Sequence, residues 1–96
     1  MGTVTPSLET SSLPRLASHV RLSFDAARDQ YVLLSPETVA VLNGTSAAIL
    51  QLCDGRRTVA EIVAELRRRY DRVVDDEVRA FLARLAAKQC VEITDG

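Results

Sequence analysis

The sequence is expected to fold as one α+β domain: three short antiparallel strands followed by a three-helix bundle, winged-helix-like in outline. Two observations predict this. Apolar residues alternate with polar ones from about residue 19 to 42, then recur every three to four residues from about 45 to 86, with Asn43-Gly44 at the switch. The chain has 96 residues, enough for one core and too few for two.

Taken in order, residues 1–17 hold Thr3, Thr5, Pro6, Ser7, Thr10, Ser11, Ser12 and Pro14 without a periodic apolar face, so a mobile tail is expected there, with the domain at 18–96. In HVRLSF, Val20, Leu22 and Phe24 alternate with His19, Arg21 and Ser23, the pattern of a half-buried strand. A polar turn, Asp25-Ala26-Ala27-Arg28-Asp29, leads to QYVLL at 30–34, which completes a hairpin. Pro36 has no backbone donor and breaks the pairing, and Thr38, Val39, Ala40, Val41 and Leu42 form a third strand.

Thr45 or Ser46 is placed to cap a first helix with Ile49, Leu52 and Cys53 on one face, and Gly55 suits the left-handed position that closes it. Thr58 and Glu61 form a capping box opening a second helix, with Val59, Ile62, Val63, Leu66 and Tyr70 on its stripe. Asp75 is placed to cap a third, with Asp76 and Glu77 at its positive end and Val78, Phe81, Leu82 and Leu85 as its apolar stripe. Val91 and Ile93 alternate with Glu92 and Thr94, which suggests a short closing strand.

Composition narrows the function. Twelve basic and thirteen acidic residues leave a net charge of −1, against the cationic excess on which nucleic-acid affinity rests. No run approaches the roughly 20 apolar residues that span a bilayer, and the first residues lack the charge-then-apolar order of a secretory signal. Cys53 and Cys90 match no metal spacing, so reduced thiols and a cytoplasmic setting are expected. His19 has no catalytic or ligand partners nearby in sequence and reads as a surface residue. There is no nucleophile elbow, phosphate loop or paired-cysteine motif, so neither an enzyme nor a cofactor of the chain's own is expected. The Asp75-Asp76-Glu77 run is explained by helix capping without a metal.

A winged-helix DNA-binding regulator remains the competing class. A helix that reads bases needs cationic or amide side chains at its start, however, and here the third helix opens on acids while the second opens on Val59-Ala60-Glu61. Arg67, Arg68 and Arg69 cluster at the far end of the second helix. They form either a solvated face paired with acids such as Glu65 or a patch that docks an acidic partner.

From Leu33 to Tyr70 the sequence reads LLSPETVAVLNGTSAAILQLCDGRRTVAEIVAELRRRY. Pro36-Glu37, Leu42-Asn43, Ala47, Ile49-Leu50, Asp54-Gly55, Thr58, Glu61-Ile62 and Tyr70, then Val78, Phe81-Leu82 and Leu85, occur in the order that marks the PqqD family of pyrroloquinoline quinone biosynthesis. The chain resembles that family over residues 14–93. It departs at Tyr31, where Trp is commoner, and at Gln89-Cys90, where glycine is more usual after the third helix.

The resemblance implies a peptide chaperone. Its members bind a ribosomally made precursor peptide containing the Glu and Tyr that become the quinone, and deliver it to a radical S-adenosylmethionine enzyme. Related domains serve as leader-recognition elements in other peptide-modifying pathways, which is the alternative reading. In these domains the leader adds as a strand beside strand three, against helix three. That places the peptide on Thr38, Val39, Ala40, Val41 and Leu42, with Phe81, Leu82 and Leu85 as the opposite wall. Arg67, Arg68 and Arg69, clustered in a chain that is nearly neutral as a whole, are the candidate contact for the modifying enzyme. The residues suit this use: 38–42 carry no charge, as an edge kept for a guest requires. Phe81 and Leu85 suit the domain's own core better than a groove, Val39 and Val41 suit either, and alternation alone leaves open which face of the strand is buried.

Overall fold

The computed structural model of the chain describes residues 9–37, 39–73 and 75–95. Its order is β1 (Ser12–Leu16), β2 (Arg21–Asp25), β3 (Gln30–Leu34), β4 (Val39–Leu42), α1 (Gly44–Gln51), α2 (Val59–Arg69), α3 (Asp75–Ala87) and β5 (Val91–Asp95). The α+β class and the three consecutive helices are as expected from the sequence. The three expected strands are β2, β3 and β4, which form one antiparallel sheet in the order β2-β3-β4.

One strand was not expected. Ser12–Leu16, inside the segment read as a tail, pairs antiparallel with β5 from Ser12↔Asp95 to Leu16↔Val91. Ser12 and Pro14 disguise it, because a proline mid-strand normally argues against a strand. Here Pro14 needs no donor, and its carbonyl accepts from Gly55 N at 3.0 Å on the side where the 54–55 loop passes. Gly55 has φ +79, and a Cβ there would meet Arg15 Cβ and Cδ at 3.4 Å, so its left-handed backbone serves this close approach. It does not close α1 as expected, since that helix ends three residues earlier, at Leu52. Order therefore begins before His19, which lies exposed in the turn between β1 and β2.

The β2–β3 hairpin closes from Asp25 to Gln30, with Asp25 Oδ1 accepting from Ala27 N at 3.1 Å and Asp29 in the left-handed region at φ 54. Asn43, rather than Thr45 or Ser46, caps α1: its side chain accepts from Ser46 N at 2.7 Å. Asparagine in extended backbone leaves its oxygen free for the first orphan donors, and the two hydroxyl residues fall inside the helix. The capping box of α2 forms as read, Thr58 Oγ1 accepting from Glu61 N at 3.1 Å and Glu61 Oε1 accepting from Thr58 N at 2.8 Å. Tyr70 leaves the expected stripe. It is the C-cap of α2, extended at φ −132 and 38 % exposed.

Asp75 is the first residue of α3, and its carboxylate receives the Arg67 guanidinium. At the far end Gln89 N donates to Ala86 O and Cys90 N to Leu85 O. This is a Schellman closure with Gln89 at φ 63, where glycine is usual.

The core gathers around α2, whose Val59, Ile62, Val63 and Leu66 are buried against Ile49, Leu50, Leu33, Val78, Leu82 and Val91. The three-stranded sheet packs on α1, while β1 and β5 pack on α2 and α3. Cys53 is part of this core. Its thiol donates to Ile49 O at 3.2 Å, and burial, reinforced by the Asp54 carboxylate, pushes its pKa up to about 12. It is a packing residue with no thiolate character at neutral pH.

Candidate functional site

Sheet order decides what β4 can do. In β2-β3-β4 it pairs with β3 alone, from Leu34↔Val39 to Tyr31↔Leu42, so among the described residues its other edge is unpaired. Successive residues of an edge strand point their backbone groups alternately at the neighbour and away from it, so β4 offers a short ladder to an added strand. The other edges are guarded. β2 begins with Arg21 and ends with Asp25, β5 carries Glu92, and β1 is covered on its far side by the Arg15↔Asp54 bridge and Gly55. β4, Val-Ala-Val-Leu, has no charge.

Register also settles the faces of this strand. Ala40 lies opposite Leu33, which lies opposite Leu22, and Leu42 lies opposite Tyr31, which lies opposite Phe24. Directly paired residues share a face, and Leu33, Leu22 and Leu42 join the core, so this is the inner face. At its open end Phe24 and Tyr31 meet edge to face at 5.0 Å between ring centroids. Val39 and Val41 are on the outer face, 62 % and 52 % exposed, beside Leu34 and the buried Val32. Thr38 lies outside the described residues.

Just past the end of β4 is a groove of about 420 Å³ between the start of α1 and α3. Asn43, Thr45, Ser46 and Ile49 form one side and Val73, Val78, Ala80 and Phe81 the other, with Arg72, Glu77 and Arg84 adding charge. Of the helix residues predicted from sequence, Phe81 lines this groove and is half-buried. Leu85 is half-buried against the core, and Leu82 is fully buried, presenting no surface to a guest. The structure thus brings β4, the α1 N-terminus and Phe81 to one end of the domain and places Leu82 in its centre. Sequence reading missed the α1 side of the groove. Asn43 and Ser46, which form the cap there, were the available signal.

Arg67, Arg68 and Arg69 are each matched by a carboxylate: Arg67 by Asp75, Arg68 by Glu65 at 3.6 Å and Arg69 by Glu65 at 3.2 Å. This is the pairing that a solvated helix face makes. The Asp54 carboxylate is held below its usual range, chiefly by the backbone N–H of Arg56. Arg56 N donates to Oδ1 at 2.9 Å, and Arg57 adds its own N–H at 3.1 Å and its guanidinium at 2.9 Å to Oδ2. These bonds shape the turn between α1 and α2. Among the described residues no group of three His, Cys, Asp or Glu side chains is arranged to hold a metal, and no helix is long and apolar enough to cross a membrane.

Comparison with known proteins agrees with this architecture. Residues 30–91 match the family described as coenzyme PQQ synthesis protein D (PqqD). The PqqA binding protein of Pseudomonas aeruginosa is 43 % identical over 90 residues, covering 92 % of this chain and 96 % of its own. The bifunctional coenzyme PQQ synthesis protein C/D of Methylorubrum extorquens is 40 % identical over 85 residues, 85 % of this chain and 23 % of that longer protein. Among solved structures, the PqqD truncation of Methylobacterium extorquens PqqCD, described as a functional and stand-alone RiPP recognition element, superposes with a TM-score of 0.70 at 39 % identity, covering 88 % of this chain and 94 % of the other. The heterocyclase TruD shares the fold at a TM-score of 0.63 and 21 % identity, with 86 % of this chain matching 12 % of that one. With a family match over residues 30–91 and 43 % identity to a relative covered almost end to end, the chain belongs to the PqqD family.

Proposed function

We propose that this protein is a peptide chaperone without catalytic residues or a cofactor of its own. It binds a ribosomally made precursor peptide of the PqqA kind, containing the Glu and Tyr of the future quinone. It presents that peptide to the radical S-adenosylmethionine enzyme of pyrroloquinoline quinone biosynthesis, in the cytoplasm. The observation that carries the reading is the uncharged edge of β4, unpaired among the described residues and beside an open groove, in a chain whose relative is named for binding PqqA. Strand addition draws affinity from backbone hydrogen bonds and register from side-chain pockets. Val39, Ala40, Val41 and Leu42 supply the first, Phe81 contributes to the second, and Leu85 and Leu82 support its helix from behind.

The test is a fluorescence anisotropy titration of labelled PqqA from Pseudomonas aeruginosa. Saturable binding that a scrambled peptide does not compete away is expected. No binding at concentrations far above micromolar overturns the proposal. Adding the chain to the peptide and the radical enzyme should raise the yield of cross-linked product. The enzyme-docking role proposed for Arg67, Arg68 and Arg69 is tested there by reversing all three charges. Since each already has an acidic partner within the chain, loss of product with unchanged peptide affinity is required to support docking.

A further inference from the structure

The arginines of this protein divide into two groups. Arg15, Arg28, Arg57, Arg67, Arg68, Arg69 and Arg79 each face a carboxylate within 4 Å. Among the described residues the side chains of Arg21, Arg56, Arg72 and Arg84 have no such partner and no side-chain hydrogen bond. Two of these four, Arg72 and Arg84, line the groove beside β4. An unmatched guanidinium on the wall of a concave, half-apolar site is poised to meet an anion, because the fork of donors is planar and already placed.

The arrangement along α3 gives this charge a position. Glu77, Phe81 and Arg84 are spaced by four and three residues and share one helix face, all three lining the groove. At 1.5 Å per residue, Arg84 stands about 4–5 Å along the axis from Phe81 and roughly 10 Å from Glu77. Along α3 itself the wall thus runs from Glu77 through the apolar Phe81 to Arg84, and Arg72, in the segment before α3, adds a second unmatched cation to the groove. In an extended guest, side chains on one face recur about every 6.6 Å, two residues apart. Resting on the peptide-binding reading above, we infer that the groove selects a guest strand carrying an apolar anchor opposite Phe81 and an acidic side chain two residues away that is read by Arg84.

The experiment uses the whole chain and PqqA from Pseudomonas aeruginosa, with each Asp and Glu of the peptide changed singly to its amide. One amide peptide should bind wild-type protein three- to tenfold more weakly, the range for a partly solvated charge pair. Arg84→Gln should weaken the unmodified peptide by a similar factor, and combining the two changes should cost little more than either alone. Arg84→Glu should recover affinity when the same peptide position is made Lys. Arg21→Gln, an unpartnered arginine outside the groove, should change binding by less than twofold. If every amide peptide is weakened equally on wild-type and Arg84→Gln protein, or if Arg21→Gln acts as strongly as Arg84→Gln, the inference is wrong while peptide binding stands. Absence of any binding by wild type removes the peptide-binding reading and this inference with it.

Discussion

Val41→Asp separates binding from folding better than any other change on β4. Val41 is 52 % exposed on the outer sheet face, so in the free protein the new carboxylate stays in water. The cost to stability is then confined to the lower strand preference of Asp, within about 1 kcal/mol. In the complex the neighbouring guest strand covers much of what is still open. Complete burial of a valine side chain is worth about 1.5–3 kcal/mol, so the half still exposed represents about 1 kcal/mol of lost contact. Partial desolvation of a carboxylate without a partner adds on the order of another 1 kcal/mol. About 2 kcal/mol together corresponds to a Kd roughly thirtyfold higher. Were Val41 to face the helices instead, the buried charge would unfold the domain before binding could be measured. Isothermal titration calorimetry with the peptide, alongside a thermal melt of each variant, gives both numbers. Affinity within threefold of wild type, from a protein whose melt is unchanged, would show that no guest strand lies along this edge.

Other outcomes follow from the same structure. Gln89→Gly should stabilise the domain by about 0.5–1 kcal/mol in denaturant unfolding, because φ 63 strains a side chain and suits glycine. Leu82→Ala should cost about 2–5 kcal/mol, the range for a fully buried leucine, and should weaken peptide binding only through unfolding. A loss of affinity in Leu82→Ala protein that remains fully folded would mean that α3 opens to admit the guest. The Asp54 carboxylate has its pKa lowered in the folded state, chiefly by the Arg56 N–H, so its contribution is present above the unfolded value near pH 4 and fades as pH falls through the lower folded value. Asp54→Asn should therefore flatten the acid side of the stability profile, and an unchanged acid limb would contradict this.

Much of the architecture was legible because the signals were local. The Thr58–Glu61 box, the Val59-Ile62-Val63-Leu66 stripe and the hairpin from Asp25 to Gln30 each depend on residues a few positions apart, and each formed where read. The failures involve partners far away in sequence. β1 exists because β5 pairs with it some 80 residues later and because Gly55 reaches Pro14, and no window around Ser12–Leu16 contains either fact. Gly55 misled for the same reason, its positive φ answering to β1 rather than to α1. At the site, the edge strand was recognisable as an uncharged segment, but its faces were not. Val39 and Val41 look like core residues until the pairing of Ala40 with Leu33 turns them outward. Alternation gives two faces and leaves the choice between them to register, which only the partner strand supplies. Phe81, Leu82 and Leu85 share one apolar stripe, yet the groove takes Phe81 and the core takes Leu82, because helix packing divides a stripe that sequence shows as one.

The account rests on β4 acquiring a second hydrogen-bonded neighbour when the peptide arrives. Amide hydrogen exchange followed by NMR on the labelled protein, free and peptide-bound, reads this residue by residue. Alternate amides within Val39–Leu42, those turned away from β3, should become slow to exchange in the complex, while their neighbours are already slow in the free protein. Protection that appears along β2 or β5 instead, with Val39–Leu42 unchanged under saturating peptide, would contradict it.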